Sequence, residues 1–176
     1  MAADRLLEKW QIYNRQLQCM GTRRREETLA PGEYHLVVNA FIFNTTGQVL
    51  LQQRSPNKLY FPSYWDSSVG GSVRAGETII TAMHREMAEE IGWDIPVAAA
   101  DNYLITPHSH WVSAWFAFQT GHAAADFTVQ HDELQQVAFF DRPAAHAHLH
   151  QIGFDPYTAE LDRAWAHLQL ATNQQN

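Results

Sequence analysis

The chain has one cysteine, Cys19, in 176 residues. An internal disulfide is excluded, and with it the cysteine-stapled secreted scaffold. No apolar run approaches the roughly 18 residues that suggest a membrane helix. The first ten residues, Met1-Ala-Ala-Asp-Arg-Leu-Leu-Glu-Lys-Trp10, are charged and lack the apolar centre of an export signal. The expected location is therefore a reducing cytoplasm, with no membrane partner. Basic residues are also in deficit: 12 Lys and Arg stand against 19 Asp and Glu, for a net charge of −7. That balance argues against a nucleic-acid polymer as partner, which calls for a basic face. The one basic run, Arg23-Arg24-Arg25, is followed at once by Glu26-Glu27 and reads as a solvated loop. Repeats and low-complexity segments are absent.

What is present suffices for a packed core. Hydrophobic residues make up 45% of the chain and aromatics 12%, enough for one domain over 1–176. An N-terminal extension or hairpin is expected within about 1–32, and a C-terminal helix over about 157–171, opened by Phe154-Asp-Pro-Tyr-Thr158. The tail from Ala171 to Asn176 is expected to fray. Strands are predicted at Tyr34–Phe43, Gln48–Gln53, Tyr103–Thr106, Trp111–Phe118 and Gln136–Phe140, with Asn44-Thr-Thr-Gly47 as a hairpin turn. Mixed strands with two main helices fit an α/β/α sandwich built on a mixed sheet. A homodimer is left open.

The most specific segment runs from Gly71 to Trp93. A helix is predicted over Thr78–Ile91, with Thr78 as N-cap or first-turn residue and Gly92 as the stop. At about 100° per residue, with Glu86 at zero, Glu90 falls near 40° and Glu89 near 300°. Ile80, Met83, Met87 and Ile91 cluster between about 60° and 140° and face the core. The three carboxylates thus share an arc beside the buried face, as in a groove wall. Like charges so close repel, and a hard divalent cation would convert that cost into ligation, as Mg2+ does with carboxylates, waters and phosphates. On the same wheel Glu77 lies away from the acidic arc and Arg85 lies next to Glu89, so both read as braces. Just upstream, Gly70-Gly71 forms a turn whose bare backbone allows close approach of a ligand or metal.

The spacing G-x5-E-x7-R-E-U-x-E-E-x-G-U, with U bulky and apolar, is complete between Gly71 and Trp93. It resembles the Nudix box, the signature of the Nudix hydrolase superfamily. The resemblance implies the Nudix α/β/α sandwich and a Mg2+ cofactor, with Mn2+ as the alternative ion. It also implies metal ligation by Glu86, Glu89 and Glu90, joined by the backbone carbonyl of Gly71. The implied reaction is hydrolysis of a diphosphate linkage in a small nucleoside-diphosphate-like or other organic diphosphate. Glu86 or Glu89 is a candidate base within the box, with Arg85 orienting. Many members use a glutamate from a later loop, and Glu133 in His131-Asp-Glu-Leu134 is the candidate there. Arg54 and Lys58 are candidate phosphate contacts. Tyr60, Phe61 and Trp65 read as loop packing ahead of base stacking.

The likeness extends over Glu33–Asn44, Gly47–Lys58 and Tyr64–Ser67, which look like the branch containing isopentenyl-diphosphate isomerase and its hydrolase-like relatives. The isomerase is thus the natural rival. It places a cysteine and a histidine where this chain has Gly70 and Ser72, and an acidic residue where this chain has Ser109-His-Trp-Val112. His35 does match one of its metal-binding histidines, although strand histidines are more often packed. Isomerisation needs an acid and a base, and the matching positions lack that pair. A non-catalytic nucleotide sensor of the same fold is a further alternative, but such proteins commonly lose box glutamates and this chain keeps them all. The histidines at 146, 148 and 150 do not share one helical face and read as structural. His108 and His110 flank a hairpin near the expected site mouth.

Overall fold

A computed structural model describes residues 6–153 and 156–173. Strands β1 (Lys9–Tyr13) and β2 (Cys19–Arg24) form a two-stranded antiparallel ribbon. The main sheet has seven strands. They are β3 (His35–Asn44), β4 (Val49–Arg54), β5 (Trp65–Asp66), β6 (Val69–Ser72), β7 (Asn102–Pro107), β8 (Trp111–Thr120) and β9 (Leu134–Phe140). Among the described residues there are three α-helices: α1 (Ile79–Ile91), α2 (Arg142–His150) and α3 (Pro156–Asn173). The expected strands therefore appear within a residue or two of their predicted ends. The predicted opening of the last helix at Phe154-Asp155, and the tail beyond Asn173, lie outside the described residues.

Both faces of the sheet are covered, because β3 and β8 carry near-continuous apolar runs. Val38, Ala40 and Ile42 of β3, with Phe116 and Phe118 of β8, pack against Met83, Met87 and Ile91 of α1. The alternate residues Phe41, Phe43, Trp115 and Ala117 pack against Ala145 and Leu149 of α2 and Leu161 and Ala164 of α3. This is an α/β/α arrangement on a mixed sheet: β3 runs parallel to β8 and antiparallel to β4 and β6.

The sheet forks at the point that matters for function. β3 and β4 pair only at Ile42↔Leu50 and Phe43↔Val49, and then diverge. The segment 65–72 fills the gap, with β5 pairing to β4 and β6 pairing to β3. Ser68, fully buried at the apex, holds the fork. Its hydroxyl accepts from Ile42 N–H at 2.8 Å and donates to the Leu50 carbonyl. Gly70 and Gly71, expected in a turn, are instead a strand opposite Asn39 and Val38. The turn comes later, between Arg74 and Glu77, and closes with Glu77 N–H donating to the Arg74 carbonyl at 3.0 Å. The basic run is likewise not a loop as expected, because Arg23 and Arg24 pair with Trp10 and Lys9 in the ribbon.

The start and stop of α1 follow from its caps. Thr78 is the N-cap, and its hydroxyl accepts from Thr81 N–H at 3.1 Å. Gly92 ends the helix with φ of 66°, a left-handed conformation that glycine adopts without penalty.

Candidate active site

Helix α1 lies across β6, and the contact is closer than any side chain on Gly71 would permit. A Cβ on Gly71 would stand 2.1 Å from Glu86 Oε1. The bare backbone at this position is therefore a steric requirement of where the Glu86 carboxylate sits. One turn on, Glu90 is 4% exposed and its carboxylate accepts from Gly70 N–H at 3.2 Å. Burial raises the Glu86 pKa to about 7, against the lowering pull of the Arg85 guanidinium. Glu90 is pushed well above the carboxylate range, first by burial and then by the Glu86 charge. Two carboxyl groups with raised pKa side by side form a donor pair that could hold a cation.

Arg85 stands behind this pair. It donates to Glu77 at 2.6 and 2.9 Å and to the Ser72 carbonyl at 3.1 Å, and it reaches Glu86 at 2.7 Å and Glu89 at 3.5 Å. The wheel placed it against Glu89, but Glu77 and Glu86 are its nearer partners. Glu77 precedes the helix, so a helical angle did not apply to it. The turn from Arg74 to Glu77 folds it back onto Arg85. Glu89 sits at 38% side-chain exposure between Arg74 (3.3 Å) and Arg85. Among the described residues, no three His, Cys, Asp or Glu side chains converge as a ready metal cage. Glu86, Glu89 and Glu90 all reach the cleft, and Glu89 is engaged there by the two arginines.

The cleft encloses about 60 Å³. Lys58, Gly71, Glu86, Glu89, Glu90 and Glu133 all line it, so these sequence candidates come together from four separate segments. Lys58 and Glu133 form an ion pair across it. Gln130 N–H donates to the Glu90 carbonyl at 2.9 Å, which ties the Glu133 turn to the end of α1. Arg54 is not in the cleft. It pairs with Asp66 at 3.2 Å and donates to the Tyr60 carbonyl at 3.1 Å, one step further along. Four cleft residues escaped the sequence reading: Glu8, Arg25, Arg74 and Gln130. Arg25 lies over the Trp10 ring at 5.7 Å, and Arg74 joins Glu8 at 2.8 Å. The ribbon's contact with the box turn, through Trp10↔Arg74, brings Glu8 and Arg25 beside Arg74, and Gln130 arrives with the turn before β9; no local pattern announces either.

A second cavity, of about 270 Å³, lies on the α3 side of the sheet. Space lined by Asn39, Arg54, Asp66, Gly70, Gly71 and Tyr157 adjoins both it and the cleft. Its floor is formed by alternate residues of β3 and β8, a period-two signal present in the sequence. Tyr60, Phe61 and His108 also line it. Trp65 does not, and packs edge-on to Phe140 at 4.8 Å. His148 packs beside the same two rings, and His146 pairs with Asp162 at 3.0 Å.

Residues 33–161 match the NUDIX domain family. This chain belongs to the Nudix family. An uncharacterized Nudix hydrolase of Listeria monocytogenes is 33% identical over 86% of this chain and 90% of its own length. Two partial relatives carry the branch likeness. A prenyl-diphosphate phosphatase of Methanosarcina mazei is 36% identical over 44% of this chain and 45% of its own. An isopentenyl-diphosphate Delta-isomerase of Photorhabdus laumondii is 29% identical over 48% of each. A solved Deinococcus radiodurans structure superimposes with a TM-score of 0.71 over 89% of this chain and 99% of that one, at 22% identity, a likeness of fold. The chain is thus a Nudix hydrolase, and α1 with its preceding turn is its Nudix box. Nudix hydrolases generally use divalent metals and act on small molecules.

Proposed function

We propose that the chain is a Mg2+-dependent hydrolase that cleaves the diphosphate linkage of a nucleoside-diphosphate-like or other organic diphosphate. The observation that carries this reading is the pair of carboxylates, half-buried Glu86 and buried Glu90, set against the side-chain-free backbone of Gly70 and Gly71. The donor set suits a hard oxygen-seeking ion: carboxylate oxygens beside the backbone of Gly70 and Gly71, with no sulfur or imidazole in the cleft among the described residues. Glu86 and Glu90 are the principal ligands in this proposal, with the Gly71 carbonyl and Glu89 completing the shell. Glu89 reaches it only by loosening its arginine contacts. Mn2+ fits the same donors. When bound, the ion offsets phosphate charge and polarises the phosphoryl group.

The protein's own residues then have defined tasks. Lys58 and Arg25 offer positive charge to the phosphate chain from the wall of the cleft. Glu133 accepts the proton from a water as its oxygen attacks phosphorus, and the bridging P–O bond breaks with its electron pair leaving on the departing phosphate. The Lys58 ammonium fixes the Glu133 carboxylate in place for this step. Arg85 positions Glu86 without touching substrate. The rival isomerisation needs an acid–base pair at the diphosphate's carbon end, and Gly70 and Ser72 of β6 supply none.

A Mg2+-dependent screen of nucleotide sugars, dinucleotide polyphosphates, nucleoside triphosphates, coenzyme derivatives and prenyl diphosphates tests the reading, with products identified. Glu90→Gln is expected to weaken Mg2+ binding and lower turnover roughly a hundred-fold or more. Undiminished binding and rate would remove Glu90 from the metal shell. An isomerised prenyl product without phosphate-bond cleavage overturns the hydrolase assignment. Ligand binding without Mg2+-dependent phosphate release points instead to a sensor.

A further inference from the structure

Of the two arginines that line the cleft, Arg25 faces phosphate in the reading above and Arg74 has no part in it. The Arg74 guanidinium is shared unevenly between two carboxylates. Its Nε donates to Glu8 Oε2 at 2.8 Å, whereas Nη1 and Nη2 reach Glu89 Oε1 and Oε2 only at 3.4 and 3.3 Å. A charge-assisted N–H to carboxylate bond is ordinarily about 2.7–2.9 Å long, so Glu8 is the tight partner and Glu89 the loose one. Glu8 is itself fixed. Its other oxygen accepts from Trp10 Nε1 at 3.2 Å, and its side chain is 13% exposed. With both oxygens engaged, Glu8 holds an arginine and is not offered to a metal. Ala75 N–H donates to the Lys9 carbonyl at 2.8 Å, which ties the ribbon carrying Glu8 to the turn carrying Arg74. The anchored edge of the guanidinium is thus Nε, and the two Nη groups are turned to Glu89 of the cleft.

That loose fork matters because Glu89 joins the metal shell only by leaving its arginines. Arg85 loses little in the step, since it keeps Glu77, Glu86 and the Ser72 carbonyl. The Arg74 guanidinium keeps Glu8 alone among the described residues. Its two Nη groups then carry positive charge, with no acceptor, in the wall of the cleft. A phosphate presents the same two-oxygen edge to an arginine that a carboxylate does. We propose that Arg74 is a substrate-phosphate contact, covered by Glu89 before a cation binds and uncovered as Glu89 turns to the metal, and that Glu8 is the positioning residue that holds the guanidinium in place through the exchange. The proposal rests on the diphosphate-hydrolase reading of the cleft. The exchange sets an order, cation first and phosphate second. A simple pin between ribbon and box turn would use the same Glu8–Arg74 pair but would have no use for a second, looser carboxylate on the cleft side.

The experiment measures, by calorimetry, the binding of Mg2+ alone and of inorganic diphosphate at saturating Mg2+. The proteins compared are the wild type, Arg74→Gln and Glu8→Gln. Both variants break the same ion pair, so a merely structural pin predicts the same change from each. The exchange predicts different ones. Arg74→Gln frees Glu89 from one arginine, so its Mg2+ affinity is expected to hold or rise while its diphosphate affinity falls roughly ten-fold. Glu8→Gln leaves the Arg74 charge to Glu89, so its Mg2+ affinity is expected to fall about two- to three-fold. Support requires that whole pattern: Mg2+ affinity held or raised in Arg74→Gln, lowered in Glu8→Gln, and diphosphate affinity lowered in Arg74→Gln. Any other pattern overturns the proposal. Failure of the wild type to bind inorganic diphosphate with Mg2+ sinks the cleft reading instead, and this proposal falls with it. Should either variant lose its cooperative melt, Arg74→Lys, which lacks the two-pronged edge, or Glu8→Asp, which is too short to hold Nε, takes its place. The same pattern is then required.

Discussion

Single atoms decide the chemistry of the cleft, and Gly71 is the sharpest case. A methyl group there would overlap Glu86 Oε1 at 2.1 Å, and the strand backbone cannot retreat because β6 is paired to β3. Glu86 must therefore move. Gly71→Ala is expected to keep a cooperative melt yet lose roughly a hundred-fold in turnover, the scale of an ångström-sized misplacement. Steady-state rates beside a thermal melt check it, and an alanine variant with normal kcat would show that Glu86 placement is not critical. His35 offers a test of a different kind. Burial and the nearby Arg25 charge lower its pKa from 6.5 to about 4. The unfolded chain thus binds a proton that the native state refuses, so this residue makes stability rise with pH between about 4 and 6.5. The span corresponds to about 3 kcal/mol. His35→Phe is expected to flatten that acid limb in urea titrations run across the range. An unchanged acid limb would show that other groups set it.

At the scale of elements, α1 works because a brace holds it to the turn before it. Arg85 is 14% exposed and serves Glu77, Glu86 and the Ser72 carbonyl at once. Removing one member of a buried charged cluster leaves the others unpaired. Arg85→Ala is expected to cost about 3 kcal/mol in equilibrium unfolding. Arg85→Lys keeps the charge but not the planar fork, and is expected to recover only part of that. A full recovery with lysine would mean that charge alone is needed. The helix itself was legible from its periodicity and caps, because α-helical angles depend on nothing outside the segment. The wheel gave the shared face of Glu86 and Glu90 correctly. It misread Glu77, which lies outside the helix, and the partners of Arg85, which are set by how residues 73–77 turn back. It also missed that Gly70 and Gly71 form a strand, because their partner, β3, lies some thirty residues earlier.

The whole molecule combines segments that no local pattern links. The two-sided core was readable from the apolar runs of β3 and β8. The cavity was not, since its floor exists only when those strands pair in parallel across the intervening box and β7. The same long-range assembly buries Glu90 and half-buries Glu86 beside it, which bears on the stability of the entire fold. In the metal-free protein Glu86 ionises near 7, above its usual value of 4.5. The native state therefore holds a proton that the unfolded chain releases, and Glu90 is raised in the same sense. Their contribution is fully present below about 4.5 and is lost as pH rises through 7. His35 acts in the opposite sense at the acid end. Metal-free stability should thus climb from about pH 4, crest below neutrality and decline above it. A divalent cation ligates the ionised carboxylates, so its stabilisation should grow where the metal-free protein weakens. Melting temperatures with chelator and with saturating Mg2+ are expected to differ little near about pH 5 and clearly near about pH 8. Glu90→Gln is expected to narrow the gap at the higher pH, because it removes one of the two carboxylates that the cation would join. A gap equal at both pH values, or larger in acid, would separate Mg2+ binding from this pair and move the metal elsewhere.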